Sequence, residues 1–309
     1  MTTLPTARAA AGLLALLLSG AAALTGCSDA SKADTEKPTA GTYAKDSSTL
    51  IFGVVPDSVD TETNYQPLMD YIALKTGKKV EYKESTDYAA LIEAAIAGKI
   101  DVASFSGFTY VIATNKGAKL TAISSIVTEA GEEPGYYSEA IVPVDSPITT
   151  LAGFAGKKVC FVDPSSTSGY LFPSYRLIEE GIDPDTGVTP VFAGKHDISV
   201  TKTGEGRECE AGFAEDSEVA KSDAVRVVER TKVPGAPVVY SSVLPNDVQE
   251  SLRNALSSVT IDQIIADGIA DADSEAFRSV FAALSPVDDS VYDLIRDICA
   301  KTGAKQCES

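Results

Sequence analysis

The feature that most constrains the fold is an alternation of buried strands and helices that occurs twice along the chain. The first unit begins with the apolar run TLIFGVVP at residue 49 and continues with NYQPLMDYIALKTG, which has helical spacing. The same alternation continues through KKVEYKES, TDYAALIEAAIAGK and IDVASFSG. Strands and helices in this order are typical of a parallel sheet whose faces are covered by helices.

A second unit repeats the pattern, starting with SEAIVPV (138–144) and LAGFAGKKVCFVDP (151–164) and ending with ECEAGFAED. After PVVYSSVLP (237–245) the chain is predicted to be largely helical. We therefore predict an α/β protein of two lobes, each a mostly parallel sheet covered by helices, that face each other across a cleft. The first lobe is expected to comprise 49–140 plus 241–309 and the second 141–240, with crossings at 138–144 and 237–243. Ligands of such sheets bind at the carboxyl ends of the strands.

The N-terminus is a separate segment. Residues 1–26 contain Arg8 and an apolar run that is too short to span a bilayer comfortably, which indicates a secretion signal. The run ends in LTGC, which resembles the lipobox of bacterial lipoproteins, so lipidation of Cys27 is implied after cleavage; an ordinary signal peptide with an incidental cysteine is the alternative. Residues 27–48 are polar, small and charged, and predict a flexible tether.

Export affects how the other four cysteines are interpreted, namely Cys160, Cys209, Cys299 and Cys307. An even number in an oxidising compartment favours two disulfides, with three possible connectivities. Cys299 and Cys307 are close in sequence, so we expect them to pair and Cys160 to pair with Cys209. Free buried thiols are the alternative. No CxxC motif occurs and His196 is the only histidine, so no metal site or cofactor is expected.

The formal net charge of −18 argues against nucleic acid or anionic lipid as a binding partner. It also means that an anionic ligand would have to be held by local dipoles. The stretch DPSSTSGY (163–170) provides such dipoles, because Ser166, Thr167 and Ser168 stand where a strand leads into a helix. Hydroxyls, free backbone amides and the positive end of the helix dipole meet there without any formal charge. Plain N-capping, which needs only one Ser or Thr, is the alternative.

Five blocks of residues between about Leu50 and Val243 carry a resemblance to a known family. They are DYAALIEAAIAGKIDVA, GYYSEAIVPVDSPITTL, VDPSSTSGYLFPSYRL, FAGKHD and VPGAPVVY, in that order. They resemble the phosphate, phosphite and phosphonate binding proteins of ABC importers, which have the type II periplasmic-binding fold. The resemblance implies that Tyr88 and Tyr136 contact the ligand and that His196 donates to a phosphoryl oxygen. Tyr137 and Tyr110 are second choices, and Asp197 is expected to cap a helix or orient His196.

Two positions bear on the substrate. Relatives that take aminoalkyl phosphonates hold the ammonium group with two carboxylates. Alignment of the flanking motifs places Asp216 at one of these positions, with Glu215 as the fallback, and Ala236 at the other. A buried ammonium that lacks one partner is costly, so aminoethylphosphonate is a poor candidate. Asp216 is instead expected to accept a hydrogen bond from a protonated phosphate oxygen.

The sequence therefore predicts a monomeric, lipid-anchored receptor on the outer face of the cell membrane. It would capture phosphate, phosphite or methylphosphonate and deliver it to an ABC permease in that membrane. A receptor for a larger phosphonate and a ligand-presenting sensor are alternatives. A serine hydrolase that uses the SSTSG serines and His196 is a remote third, because no GxSxG motif occurs.

Overall fold

The computed structural model describes residues 39–128 and 131–308. The predicted signal peptide, Cys27 and the first part of the predicted tether lie outside these residues. The strands are β1 (Thr49–Val54), β2 (Lys79–Lys83), β3 (Val102–Ser104), β4 (Leu120–Val127), β5 (Tyr136–Pro143), β6 (Lys158–Phe161), β7 (Thr189–Phe192), β8 (Ala211–Glu215), β9 (Val225–Val233), β10 (Pro237–Ser241) and β11 (Ala283–Pro286). The α-helices are α1 (Thr61–Thr76), α2 (Tyr88–Ile96), α3 (Gly107–Asn115), α4 (Phe172–Glu179), α5 (His196–Glu205), α6 (Asp216–Val219), α7 (Asn246–Leu256), α8 (Ile261–Ala266), α9 (Glu275–Val280) and α10 (Asp293–Thr302).

The strands form two sheets, as expected for two lobes. The first has the order β11-β4-β10-β3-β1-β2 and the second β7-β6-β8-β5-β9. β1 pairs in parallel with β2 and β3, and β6 pairs in parallel with β7 and β8. Covering helices join these strands along the chain. The prediction of mostly parallel sheets is wrong for the other pairs. In each sheet the strand that arrives from the other lobe, β10 or β5, runs antiparallel to both of its neighbours.

The crossings between the lobes lie earlier in the chain than predicted. Residues from Tyr136 onward already pair within the second sheet, and residues from Pro237 onward within the first. The segments at 138–144 and 237–243 are therefore mainly strands, and the described residues between the paired strands of the two lobes are 128, 131–135 and 234–236. The two crossings lie side by side, since a Cβ added to Gly235 would stand 3.1 Å from the backbone nitrogen of Gly135. Their Pro-Gly sequences suit turns rather than strands.

The end of the predicted tether is part of the folded first lobe. The backbone nitrogen of Gly41 donates to the carbonyl of Val243 at 2.6 Å, and that of Ala44 donates to the Asp101 carboxylate at 2.9 Å. Lys45 forms an ion pair with Glu81 at 2.7 Å. These bonds fix residues 41–48 to the first lobe, so this part of the predicted tether is ordered. Its polar composition is that of a surface segment in contact with solvent.

The apolar core extends from one lobe into the other. One cluster of buried residues joins Phe108 of α3 and Ile295 of α10 to Leu171 and Phe172, which lie at the start of α4. Next to it, Thr167 accepts a hydrogen bond from the backbone nitrogen of Phe108 at 2.8 Å. The lobes are thus joined by packed side chains as well as by the two crossings. In the part of the chain described, no helix is long and apolar enough to cross a membrane.

The described part of the chain contains two disulfides, with the pairing that the sequence predicts. Cys160 is bonded to Cys209 and Cys299 to Cys307, each pair with a Cα–Cα distance of 5.6 Å. The first joins β6 to the segment before β8 inside the second lobe. The second links the last turn of α10 to the C-terminal segment.

The two disulfides are expected to contribute unequally to stability. The sequence separations are 49 and 8 residues, and the chain-entropy model gives about 4 kcal/mol for the longer loop and about 2.5 kcal/mol for the shorter one. We therefore expect a Cys160→Ala, Cys209→Ala variant to lose more free energy of unfolding than a Cys299→Ala, Cys307→Ala variant. Urea denaturation followed by circular dichroism measures both. Equal losses, or a larger loss for the second variant, would contradict this expectation.

Candidate functional site

A cavity of about 320 Å³ lies between the lobes. The first lobe contributes lining residues at the carboxyl ends of β1, β3 and β4, which is where open α/β sheets bind ligands. These are Val55, Asp57, Ser104, Phe105, Ser106, Ile126 and Thr128, with Tyr65 and Tyr88 from the adjoining helices. The second lobe contributes His196, Glu215, Asp216, Ser217, Ala220 and Arg230. Ala236 of one crossing and Gly135 and Tyr136 at the end of the other complete one wall.

Three helices begin at this cavity. Tyr88 is the first residue of α2, Ser106 caps α3, and His196 is the first residue of α5. Asp87 fixes the start of α2, because its carboxylate accepts from the backbone nitrogen of Ala90 at 2.8 Å. The positive ends of three helix dipoles therefore face the same space, which favours a negatively charged ligand.

His196 is buried and tied to both lobes. Its backbone nitrogen donates to the carbonyl of Asp57 in the first lobe at 2.9 Å. Its Nδ1 accepts from the backbone nitrogen of Glu215 at 2.9 Å. Burial lowers the pKa of His196 to about 4, so the ring is neutral at pH 7 and, because Nδ1 accepts, its proton lies on Nε2. His196 is therefore a neutral donor within the cavity lining.

Tyr88 and Tyr136 add two phenol groups to the lining. Burial raises the pKa of Tyr88, and nearby Asp57 adds to this effect. Burial and the nearby Glu215 likewise raise the pKa of Tyr136, although the hydroxyls of Ser168 and Thr167 partly offset the shift. Both phenols therefore keep their protons and can each donate one hydrogen bond.

The SSTSG stretch lies beside the cavity, and its hydroxyls are used within the protein. The Ser166 hydroxyl accepts from the backbone nitrogen of Gly169 at 3.0 Å, which is plain helix capping. The Thr167 hydroxyl accepts from Phe108, as described above. The Ser168 side chain is buried without a hydrogen bond of normal geometry to any described residue. None of the three lines the cavity, but the hydroxyls of Thr167 and Ser168 lie next to the phenol of Tyr136.

Three carboxyl groups line the cavity. Burial and the neighbouring Glu215 raise the pKa of Asp57 to about 7. Burial and the nearby Glu218 raise the pKa of Glu215 to about 7. Asp216, the predicted acid, accepts from the backbone nitrogen of Tyr137 at 3.2 Å. The fallback residue Glu215 is thus inside the cavity together with Asp216.

Among the residues that the structure describes, Arg230 is the one lysine or arginine in the cavity lining, and it is already paired. Arg230 pairs with the buried carboxylate of Glu139, and its guanidinium carbon stands 4.8 Å from the ring centroid of Tyr137. Among the described residues no cluster of His, Cys, Asp or Glu is arranged to hold a metal ion. The arrangement provides neutral donors for an anion whose oxygen atoms accept hydrogen bonds.

Sequence reasoning missed several lining residues, notably Asp57, Tyr65, Ser104 and Ser106. Asp57 and Ser106 lie in the stretches GVVPDSVD and SFSGFTY, each of which follows an apolar strand, and this position at a strand end is the signal that could single them out. The second choices do not line the cavity: Tyr137 packs against Arg230, and the Tyr110 hydroxyl donates to Asp289 at 2.8 Å. Asp197 is in the first turn of α5, with no side-chain hydrogen bond to His196.

Comparison with known proteins agrees with this architecture. A family model described as the periplasmic substrate-binding protein of ABC phosphonate transporters matches residues 52–292. The chain is 33% identical over 295 residues to the phosphate-import protein PhnD of Mycolicibacterium smegmatis, covering 88% of this chain and 92% of that protein. It is 24% identical over 219 residues to the phosphonates-binding periplasmic protein of Escherichia coli, covering 66% and 64%.

Solved structures show the same fold. A binding protein component of an ABC phosphonate transporter from Pseudomonas aeruginosa aligns with a TM-score of 0.70 at 19% identity, covering 84% of this chain and 87% of that one. PhnD1 from Prochlorococcus marinus in complex with methylphosphonate also aligns with a TM-score of 0.70, at 17% identity, covering 83% and 99%. The type II periplasmic-binding fold predicted from the sequence is thus confirmed. The chain belongs to the phosphonate-binding family of ABC-transporter periplasmic substrate-binding proteins.

Proposed function

We propose that this protein captures inorganic phosphate, or a close analogue such as phosphite or methylphosphonate, and delivers it to an ABC permease. The observation that carries the proposal is that the neutral His196, whose proton is on Nε2, lines one cavity together with Tyr88 and Tyr136. A phosphoryl group has several acceptor oxygens, which suits such a set of donors. The M. smegmatis relative is named a phosphate-import protein, which supports phosphate as the first ligand to test.

The carboxyl groups support a ligand that carries a proton. Asp216 or Glu215 would accept a hydrogen bond from a P–OH group, which sulfate lacks near neutral pH. Ala236 lines the same cavity, so an ammonium group there would lack a second carboxylate. This arrangement disfavours aminoethylphosphonate.

The remaining parts of the proposal concern the cell. Lipidation of Cys27 would hold the protein on the outer face of the membrane, where it would act as a monomer next to the permease. The tether would then comprise roughly the residues between Cys27 and Gly41, since Gly41 is already bonded to the first lobe. Ser166, Thr167 and Ser168 would shape the adjacent wall, where the Ser168 hydroxyl is buried without a hydrogen-bond partner among the described residues.

Tyr136→Phe is expected to weaken phosphate binding about tenfold to a hundredfold, because one hydrogen bond to an anion contributes about 1.5–3 kcal/mol. Tyr137→Phe is the matched control, since its ring packs on Arg230 outside the lining. Isothermal titration of ligand-stripped protein with phosphate, phosphite and methylphosphonate measures the effect. No heat with any of the three would refute the proposed function, and an equal loss in both variants would refute the role of Tyr136.

Ala236→Asp is expected to improve binding of aminoethylphosphonate by at least tenfold, because it supplies a second carboxylate for the ammonium group. Ala236→Asn is the control of equal size without the charge. Competition against bound phosphate measures both variants. If Ala236→Asp gains no more than Ala236→Asn, the position of Ala236 relative to the ligand is not the one proposed.

A further inference from the structure

Asp57 and Glu215 face the same cavity from opposite lobes. Asp57 lies in the loop between β1 and α1, and Glu215 is the last residue of β8. Both are held through His196: its backbone nitrogen donates to the Asp57 carbonyl, and its Nδ1 accepts from the Glu215 backbone nitrogen, each at 2.9 Å. The backbones of the two residues are therefore held on either side of one histidine, and the Asp57 carboxyl lies close enough to Glu215 to be influenced by its charge.

Each side chain is further oriented by one hydroxyl. Thr61 donates to Asp57 at 2.9 Å, and Ser217 donates to Glu215 at 3.0 Å. Among the described residues neither carboxyl has a lysine or arginine at ion-pair distance. The Nε2 atom of His196 lies 3.9 Å from the Glu215 carboxylate, but this histidine is neutral at pH 7 and supplies no positive charge. The pair thus lacks a compensating charge.

Other charged groups near the pair do not supply that charge. Lys195 donates to the carbonyl of Ser58, Lys221 pairs with Glu218, and Arg230 pairs with Glu139. The remaining titratable groups that face the pair are acidic or are phenols that keep their protons: Asp216, Glu218, Tyr65, Tyr82, Tyr88 and Tyr136. Two ionised carboxylates here would repel each other and any anion placed in the cavity.

We propose that Asp57 and Glu215 form a proton-linked pair across the cleft, which must hold at least one proton while a phosphoryl anion is bound. The neutral carboxyl donates its O–H to a phosphoryl oxygen, and the other carboxylate accepts a hydrogen bond from the ligand. Binding above pH 7 therefore takes up a proton from solvent. The pKa of each carboxyl, raised to about 7, supports this protonation range. The inference rests on the proposed function.

The sign of the effect follows from linkage. The bound anion favours the protonated carboxyl, so the apparent Kd rises as pH increases through and above 7, by up to tenfold per pH unit for each proton taken up. Phosphate itself also ionises in this range, but equally for every variant. The difference between variants therefore isolates the contribution of the protein.

The test is a titration with inorganic phosphate between pH 6 and 8.5, in two buffers with different ionisation enthalpies so that proton uptake is counted. Asp57→Asn and Glu215→Gln keep the acceptor oxygens for Thr61 and Ser217 but cannot ionise. We expect each to take up about one proton fewer than the unmodified protein at pH 8. Each should also show a slope of log Kd against pH that is smaller by up to one. Asp60→Asn, an exposed residue of the same loop, should match the unmodified protein.

The outcomes separate this inference from the proposed function. Phosphate binding with the same proton count and slope in all four proteins overturns the inference and leaves the proposed function intact. No phosphate, phosphite or methylphosphonate binding at any pH overturns both. Circular dichroism melts identify a variant that fails to fold, and the other carboxyl variant then decides the question.

Discussion

The site depends on one residue, His196, that is bonded to both lobes at once. Its backbone nitrogen holds the Asp57 loop of the first lobe, while its ring holds the end of β8 in the second. These two bonds determine which ring nitrogen carries the proton and where Asp57 and Glu215 stand. A histidine without the Glu215 bond could present either nitrogen to a ligand. The donor that we assign to the ligand is therefore a consequence of how the lobes meet.

An acidic protein can bind an anion without local cations when the donors are neutral. With a net charge of −18, a lysine placed in this cavity would have Asp57, Glu215 and Asp216 as immediate partners. Such a lysine would form internal ion pairs, as Arg230 does with Glu139. The starts of α2, α3 and α5, together with phenol and imidazole protons, attract negative charge without attracting those carboxylates. The carboxylates thereby remain available as acceptors.

The fold was predictable from the sequence where apolar runs alternate with helical spacing, as in β1 to β3 and β6 to β8. The strands β4, β9 and β11 were missed for physical reasons. β4 contains paired serines, β9 is a partly exposed edge strand with charged residues, and β11 lies in a region whose composition suggests helices. Ser285 and Pro286, which look like a helix start, belong to β11. These strands form because they pair with strands that are distant in the chain, and local composition does not indicate such partners.

The site was predictable to the extent that its residues begin helices or follow strands. Tyr88, Tyr136, His196 and Asp216 line the cavity, whereas Ser166 and Thr167 are used for capping and for bonding the lobes. A hydroxyl at a helix start can bond its own backbone, another lobe or a ligand, and the sequence does not distinguish among these partners. Asp57 shows the converse. Its loop follows a buried strand, but burial in the cleft and the approach of Glu215 from the other lobe raise the pKa of its carboxyl, so this environment arises from tertiary structure.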